Sequence, residues 1–384
     1  MLALLAFALA VTAAPAGLSP GLARRFDRVD WTPARVEALA RRMPKVETHV
    51  HLDGALSPET LLRLAQRQGY AALAGLTLDE VRRRTVVGER RESLAAVLAA
   101  FDAFYPLLRN AEAMETAAYE LAVAAAGQGT RYLEVRFAPA LQAAPGFTQA
   151  QVLEAVQRGL ARGRAERGVG SAIIFCLIRP PAFVSLATNA EMVDLALARR
   201  GAGVVAVDLA GDEAAAPLSL YEPLLARAKA GGLGLTLHAG EVPGSGDLES
   251  ALALGADRLG HATLIAKKPE LLAEVIRRGI PIEVNLTSNL RTGALARAAD
   301  HPVRDWFRAG VRIALSTDDP GVFGNDLPGE YLLLHRELGF TPAELAAVAL
   351  QGVDSLFLPA ADRARMRAEF EADLAQLLDE LARP

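Results

Sequence analysis

Two histidines stand one residue apart in the stretch KVETHVHLDGA, and an acidic residue follows shortly after them. If this segment is a β-strand, His49 and His51 point the same way, because alternate side chains of a strand share a face. Two imidazoles aimed at one point make a poor apolar core, since each ring needs polar partners. A divalent metal ion would satisfy both nitrogens, so the pair predicts two ligands of one metal site.

Two further residues complete a ligand set. His238 ends an apolar run in TLHAGE, and Asp318 follows another apolar run in STDDPG. Three imidazole nitrogens and one carboxylate oxygen, with a position left for water, suit a catalytic Zn²⁺, and we predict one ion per chain. The single cysteine, Cys176, excludes both a thiolate cluster and the His/Cys/Cys site of cytidine-type deaminases.

The residues near these ligands predict hydrolytic chemistry. Zn²⁺ lowers the pKa of bound water from about 15.7 to about 7, which makes hydroxide available at neutral pH. Glu241, three residues after a predicted ligand, is placed to act as a general acid. His261, in RLGHAT, is suited to taking the proton of the water or to steadying its charge, and Asp319 to orienting a substrate N–H or a second proton. The set fits attack on an electron-poor carbon, such as an amidine-like ring carbon, or on an acyl or phosphoryl centre.

Short apolar runs alternate with helical patterns from residue 45 onward, and they predict how these residues are positioned. The predicted strands are 46–51, 131–137, 172–178, 204–209, 233–238, 258–260, 282–286 and 312–316. Eight such units predict an α/β fold of the (β/α)8 TIM-barrel type, whose functional side chains collect at the C-terminal ends of the strands. Four of the six histidines fall there. We interpret the other two, His301 and His335, as surface or capping residues.

About eighty residues separate the first predicted strand from the second. Helical patterns occur within them at residues 58–68, 78–83, 94–108 and 111–127. We interpret the middle of this insert as a helical cap over the barrel mouth, and a separate small domain is the alternative. Residues 17–44 form an N-terminal lead-in with a helix at 30–42. Residues 45–384 form the barrel domain, with two closing helices within 340–381.

Composition limits the partners of the protein. With 41 basic and 45 acidic residues, the net charge is −4, and the absence of a basic stripe argues against nucleic acid. Residues 1–16, MLALLAFALAVTAAPA, resemble a signal peptide and predict export to the periplasm or the medium, although no Lys or Arg precedes the apolar run. If they are not a signal, the protein is cytoplasmic. No run is long enough to predict a membrane span. The sequence predicts no particular oligomeric state.

Several motifs together resemble those of the adenosine deaminase family, which contains metal-dependent adenosine and adenine deaminases. KVETHVHLDGA, RYLEVRFAP, VVAVDLAGDE, TLHAGE, RLGHAT, TSN and STDDP occur in the order and rough spacing of that family, across residues 45–358. The resemblance implies a TIM barrel and one zinc ion. It also implies hydrolytic deamination of adenosine or 2′-deoxyadenosine at C6, which gives inosine or deoxyinosine and ammonia.

The resemblance also implies a role for each matching residue. The zinc ligands would be His49, His51, His238 and Asp318. The residues acting on the reacting atoms would be Glu241, which protonates ring N1, and His261, which assists the attacking water. The substrate contacts would be Asp53 at the ribose 5′-hydroxyl, Gly211 at N3, Asp319 at N7, and the covering residues Leu94, Val97 and Phe101.

Departures from the family pattern leave the substrate open. Asn285 and Leu286 stand where many relatives have Cys-Pro, and Val97 is smaller than the usual aromatic residue. A roomier cap would admit another 6-aminopurine, such as adenine, aminodeoxyfutalosine or an N6-modified AMP, although Asp53 would repel a 5′-phosphate. A two-metal hydrolase would need a bridging lysine, and none lies at the end of the middle strands. A non-catalytic purine-binding relative would have lost a ligand or Glu241, and neither is replaced.

Overall fold

Parallel strands of the barrel follow one another in chain order. The computed structural model describes residues 17–89, 91, 93–180 and 184–383, so the predicted signal peptide at 1–16 lies outside the described residues. The strands of the described part are β1 Lys45–His51, β2 Thr130–Phe137, β3 Gly170–Ile178, β4 Val204–Ala210, β5 Gly234–Ala239, β6 Arg258–His261, β7 Ile282–Val284 and β8 Ile313–Leu315. Each pairs in parallel with the next, from β1 to β8.

The sheet returns to its first strand through the residues that follow β8. His51 N–H donates to the carbonyl of Asp318 at 2.8 Å, and Asp318 N–H donates to the carbonyl of His49 at 3.0 Å. The predicted (β/α)8 TIM barrel is therefore confirmed. The eight predicted strands agree with the observed ones to within two residues at each end. The seventh ends early, at Val284, because the chain passes through Asn285 into a short helix.

Helices cover the outside of the barrel and its mouth. In the described residues they are α1 Pro20–Phe26, α2 Pro33–Arg42, α3 Pro58–Gln68, α4 Leu78–Thr85, α5 Leu94–Leu98, α6 Ala111–Gly127, α7 Pro139–Gln142, α8 Gln149–Arg167, α9 Leu186–Ala198, α10 Glu222–Ala230, α11 Asp247–Ala253, α12 Pro269–Arg278, α13 Leu286–Arg291, α14 Val303–Ala309, α15 Pro320–Phe323, α16 Leu327–Leu338, α17 Pro342–Asp354 and α18 Ala360–Leu381. Short 3₁₀ helices lie at Ala99–Ala103, Tyr105–Leu108, Leu218–Tyr221, Thr263–Lys267 and Ala298–Asp300. None of these described helices has the length and apolar character to cross a membrane.

Start signals in the sequence set several helix boundaries. The Ser57 side chain accepts from Thr60 N–H ahead of α3, with a proline in the first turn, and Gly69 ends that helix in the left-handed conformation. The lead-in helix begins at Pro33, not at residue 30, because the Thr32 side chain caps it.

The predicted cap is the middle of the insert between β1 and β2. The predicted single helix over residues 94–108 is wrong, since α5 ends at Leu98 and two 3₁₀ helices follow. Pro106, inside the second of them, has no N–H to donate and disfavours a continuous α-helix. The broken path turns side chains of this segment down onto the barrel mouth, where Leu94, Phe101 and Tyr105 line a cavity.

Candidate active site

Four side chains at the C-terminal end of the barrel bring potential ligand atoms together. These are His49, His51, His238 and Asp318, and one possible ligand atom from each lies within 4.8 Å of the others. Asp318 Oδ1 lies 3.2 Å from His49 Nε2 and 3.3 Å from His51 Nε2. His51 Nε2 and His238 Nε2 face each other at 3.4 Å. The structure thus brings together the four residues whose types and spacing predicted a metal site.

Buried carboxylates hold the outer nitrogens of two of these imidazoles. His49 Nδ1 donates to Glu283 Oε2 at 2.7 Å, and His238 Nδ1 donates to Asp208 Oδ2 at 2.9 Å. A proton held on Nδ1 leaves the lone pair of Nε2 directed at the common centre, which is the tautomer that a metal ligand needs. The donor set therefore fits a divalent cation that takes nitrogen and oxygen ligands.

Arg136 connects the two carboxylates beneath the cluster. It donates through Nη1 to Asp208 Oδ2 at 2.7 Å and through Nη2 to Glu283 Oε2 at 2.9 Å, and all three side chains are fully buried. Burial would raise the pKa of Glu283, but Arg136 and Arg258 hold it below its ordinary range. Arg136 thereby helps to keep Glu283 ionised, so that Glu283 accepts the hydrogen bond from His49 Nδ1.

Sequence reasoning missed Arg136, Asp208 and Glu283. The available signal was a charged residue in the interior of a parallel strand, in LEVRF, VAVDLA and IEV. Such a residue is costly unless it is paired. The sequence shows which residues need partners but does not show which partner each one finds.

The backbone of Asp318 is held in an uncommon conformation. Its φ is +68°, in the left-handed region that residues with a side chain seldom adopt. The hydrogen bonds to the backbone of His49 and His51 fix it there. The strained conformation lies at the point where the carboxylate joins the imidazoles, as is common for residues of functional sites.

Glu241 lies across the cavity floor in a turn that another carboxylate stabilises. Glu213 accepts hydrogen bonds from the N–H groups of Gly240 at 2.6 Å, of Glu241 at 2.8 Å and of Val242 at 2.5 Å. The Glu241 side chain is 5% exposed. Burial raises its pKa to about 8, with the negative charges of Glu213 and Asp318 adding to the effect. Glu241 therefore carries a proton at neutral pH and is able to donate it. Sequence reasoning did not identify Glu213.

His261 stands beside the ligand cluster. Its Nε2 lies 3.8 Å from Asp318 Oδ2, and its ring centre is 4.9 Å from that of His49 and 5.0 Å from that of His238. Burial lowers the pKa of His261 well below its ordinary value, so the ring is neutral. Its backbone has a φ of +58°, and the residue is not among the four of the ligand cluster.

One cavity of about 360 Å³ contains these groups. Its described walls include the predicted residues His51, Asp53, Leu94, Phe101, Gly211, His238, Glu241, His261, Asp318 and Asp319. The predictions missed Leu98, Asp102, Tyr105, Leu141 and Arg179, which line the same cavity. Val97 is buried in the packing of the cap and is not among the described residues that line the cavity, so its predicted contact with the substrate stays a prediction.

Asp319 lies in a part of this cavity that disfavours its ionisation. Burial raises its pKa well above the ordinary value, and the nearby charges of Asp318 and Asp53 raise it further. A Cβ on Gly54 would lie 1.7 Å from Asp319 Oδ1, so the glycine of HLDG is needed to leave room for this carboxyl group. A protonated carboxyl group is able to donate to a ring nitrogen of a ligand.

Two predicted substrate contacts lie at opposite walls. Gly211 follows β4 with a φ of +100°, which a residue with a side chain seldom adopts, and a Cβ there would lie 3.3 Å from Arg179. Asp53 accepts a hydrogen bond from Gln142 Nε2 at 3.4 Å and another from the hydroxyl of Tyr105 in the cap. Asp53 therefore links the barrel rim to the cap.

The two remaining histidines differ from each other. His335 Nδ1 donates to the carbonyl of Phe340 at 2.7 Å at the end of α16, so its capping role is confirmed. His301 is not a surface residue, because only 3% of its surface is exposed to solvent. It caps the start of α14 by accepting from Val303 N–H, and it lies behind His261.

A TIM barrel with a three-histidine, one-aspartate cluster and a protonated glutamate in one cavity defines a metal-dependent hydrolase. Residues 44–372 match the family model of adenosine deaminase. The chain belongs to the adenosine deaminase family, and it is a hydrolytic deaminase.

Known proteins resemble the chain over most of its length. The adenosine deaminase of Lacticaseibacillus paracasei is 33% identical over 334 residues, which are 87% of this chain and 97% of that protein. An amidohydrolase from Burkholderia ambifaria, solved with bound Zn, has a TM-score of 0.81 at 28% identity and covers 96% of this chain and 98% of its own. The N6-mAMP deaminase of Arabidopsis has a TM-score of 0.78 at 29% identity and covers 88% of this chain and 99% of its own.

Proposed function

We propose that this enzyme uses one zinc ion to deaminate adenosine and 2′-deoxyadenosine at C6. The observation that carries the proposal is the placement of four groups around one cavity. Glu241 and Asp319 offer protons, Gly211 offers a backbone N–H, and Asp53 offers a carboxylate. A purine nucleoside has complementary atoms at N1, N7, N3 and the 5′-hydroxyl.

Each residue has a defined part in the reaction. Zinc held by the four ligands would supply hydroxide at neutral pH. Glu241 protonates N1. This draws electrons from C6 and makes that carbon more electrophilic toward the attacking hydroxide. Asp319 and Gly211 hold N7 and N3, so the ring cannot rotate away from the attacking oxygen. The oxygen of water replaces the amino nitrogen at C6, the nitrogen leaves as ammonia, and the product is inosine or deoxyinosine.

The charges of the cavity favour a nucleoside over a nucleotide. The acidic residues among its described lining, apart from Glu241 and the ligand Asp318, are Asp53, Asp102, Asp212 and Asp319. The one lysine or arginine in that lining is Arg179, which donates to Asp247 Oδ2 at 2.6 Å. Its Nε and Nη1 atoms are buried and have no hydrogen-bond partner among the described residues. A 5′-phosphate would meet the acidic side chains of Asp53, Asp102 or Asp212, and the arginine of the lining already pairs with Asp247, which disfavours N6-modified AMP as substrate.

A substrate panel tests the proposal. The purified, zinc-loaded protein is assayed for ammonia release from adenosine, 2′-deoxyadenosine, adenine, AMP, N6-methyl-AMP and aminodeoxyfutalosine. We expect the two nucleosides to have the highest kcat/KM, and we expect about one zinc per chain, with loss of activity on chelation. A higher kcat/KM for any other member would overturn the nucleoside assignment. Binding of nucleosides without ammonia release would support a non-catalytic relative instead.

We also propose that residues 1–16 direct export of the enzyme. The apolar run followed by small residues supports this proposal. N-terminal sequencing of the mature protein from its native cell tests it. A mature chain that begins near residue 17 is expected, and a cytoplasmic protein that retains residues 1–16 would contradict the proposal.

A further inference from the structure

A chain of buried hydrogen bonds reaches the side of His261 that faces away from Asp318. Asn289 Nδ2 lies 3.1 Å from His261 Nδ1, and His301 Nε2 lies 3.3 Å from Asn289 Oδ1. Val303 N–H contacts His301 Nδ1 at 3.0 Å. Three residues take part in these bonds through their side chains, and all three are buried. Their exposed fractions are 1% for His261, 0% for Asn289 and 3% for His301, so water does not compete for these bonds. We call these residues the His261–Asn289–His301 chain.

The direction of the chain is set at its outer end. A backbone N–H only donates, so Val303 requires His301 Nδ1 to be an unprotonated acceptor. Burial lowers the pKa of His301 to about 3, which keeps the ring neutral at neutral pH. A neutral ring without a proton on Nδ1 carries it on Nε2, and there it donates to Asn289 Oδ1. The amide of Asn289 must then present its N–H group to His261.

The same direction passes to His261. Asn289 Nδ2 donates to His261 Nδ1, so the neutral ring of His261 carries its proton on Nε2. Two other groups approach Nδ1, and both are more distant. Glu241 Oε2 lies 3.6 Å away, beyond hydrogen-bond distance. The Asn285 amide lies 3.5 Å away. When its nitrogen donates to the carbonyls of Ser316 and Val284, its oxygen faces His261 Nδ1 at that longer distance, whereas the Asn289 nitrogen lies at 3.1 Å.

We propose that Asn289 and His301 are positioning residues that hold His261 in the tautomer with its proton on Nε2. His261 then presents an N–H group to the attacking water, and it has no lone pair there with which to take a proton. This inference rests on the proposed function, because it assigns a role in the same reaction. The sequence suggested two roles for His261. The His261–Asn289–His301 chain supports the role of steadying the charge of the water oxygen, and it does not support removal of the proton of the water.

A purely structural role would look different. The ring of His301 also packs edge-on against Trp306, with 5.5 Å between ring centres, so a large substitution there would disturb packing whatever its effect on His261. Loss of activity alone is therefore not diagnostic. The protonation pattern of the His261 ring is diagnostic, because it responds to the direction of the hydrogen bond from Asn289 and not to packing.

Nitrogen NMR of the zinc-loaded enzyme, labelled with ¹⁵N-histidine, measures this pattern. The chain has six histidines, and the spectrum of a His261→Gln variant identifies the signals of that ring. We expect an unprotonated Nδ1 and a protonated Nε2 at His261 at neutral pH. A protonated Nδ1 in the wild-type enzyme would overturn the proposal without any further variant.

Three variants test the hydrogen bonds between His261, Asn289 and His301. Asn289→Asp replaces the donor with an acceptor, so the proton of His261 should move to Nδ1, and kcat should fall by about 10- to 100-fold with zinc retained, as is usual for such supporting partners. His301→Leu should leave His261 as a mixture of both tautomers, whereas His301→Gln keeps an N–H donor toward Asn289 and should restore the single form. His335→Gln, which alters a histidine outside the chain, is the matched control. An unchanged His261 pattern in the Asn289→Asp enzyme would refute the proposal. If the wild-type enzyme deaminates no purine, the proposed function fails, while the NMR pattern remains a separate result.

Discussion

Replacing Glu241 by Gln removes one transferable proton and changes little else. The side chains have nearly the same shape, and the turn that carries residue 241 is held by three backbone N–H bonds to Glu213, which remain in the variant. Glu241 is not among the four clustered ligand residues, so zinc should stay bound. The amide of Gln is able to donate a hydrogen bond to N1 but is unable to transfer a proton to it.

The expected loss follows from the contribution of general acids. Proton transfer from a positioned side chain typically contributes about 10²- to 10⁴-fold, or about 3–5 kcal/mol of barrier. The pH dependence has a defined sign. Because burial raises the pKa of Glu241 to about 8, the acid form is present below that pH and is lost above it. The kcat/KM of the wild-type enzyme should therefore fall about tenfold per pH unit at higher pH. The variant should lack this alkaline limb.

Steady-state ammonia release from adenosine, with zinc content measured on the same samples, provides the test. Glu249→Gln is a matched control, since that side chain is half-exposed on α11 and pairs with Lys268. It should behave like the wild type. If the Glu241→Gln enzyme kept more than half of the wild-type turnover, or kept the alkaline limb, the assignment of the proton donor would be wrong.

Three further changes have outcomes that the structure predicts. Arg136→Met should lower the free energy of unfolding by about 3–5 kcal/mol in urea titrations and weaken zinc binding against a competing chelator, because it removes the buried cation that pairs with both Asp208 and Glu283; unchanged values for both would contradict its role. Gly54→Ala places a methyl group against Asp319 and should lower kcat/KM at unchanged zinc content. For His301, whose pKa is about 3 when folded and about 6.5 when unfolded, the unfolded chain takes up the proton as pH falls below about 6.5. Its contribution to stability should thus fall by about 2 kcal/mol between pH 6.5 and pH 5, and a His301→Gln variant should lack that part of the decline in urea titrations.

The metal ligands could be predicted from sequence because each follows a recognisable strand of a parallel barrel. Strand periodicity places His49 and His51 on one face, and barrel geometry brings His238 and Asp318 to the same rim. Nothing comparable marked His301. The surrounding residues ADHPV contain a charge and a proline, which is typical of an exposed loop. Its burial depends on Asn289 and on Trp306 of α14, and neither contact leaves a local pattern in the sequence.

The cap was predicted less accurately than the barrel for a related reason. Helical spacing over residues 94–108 is real, but it does not show where the chain breaks from one axis to another. A side chain one position away points in a different direction, about 100° round a helix axis. The resemblance placed Val97 over the substrate, and in the structure Val97 is buried in the packing of the cap while its neighbour Leu98 lines the cavity.

The cavity keeps neighbouring carboxyl groups in different protonation states, and their neighbours decide which state each one has. Burial opposes ionisation of Asp318, but the hydrogen bond with His49 holds its pKa well below the ordinary value. Asp319, the next residue, points toward other carboxylates, so burial and their charges raise its pKa. Glu241 is raised in the same way. Ionisation is therefore favoured at Asp318, in the ligand cluster, and disfavoured at Asp319 and Glu241, which the proposed function places against the purine nitrogens. This division matches the reaction, which needs an ionised ligand on one side of C6 and a proton donor on the other.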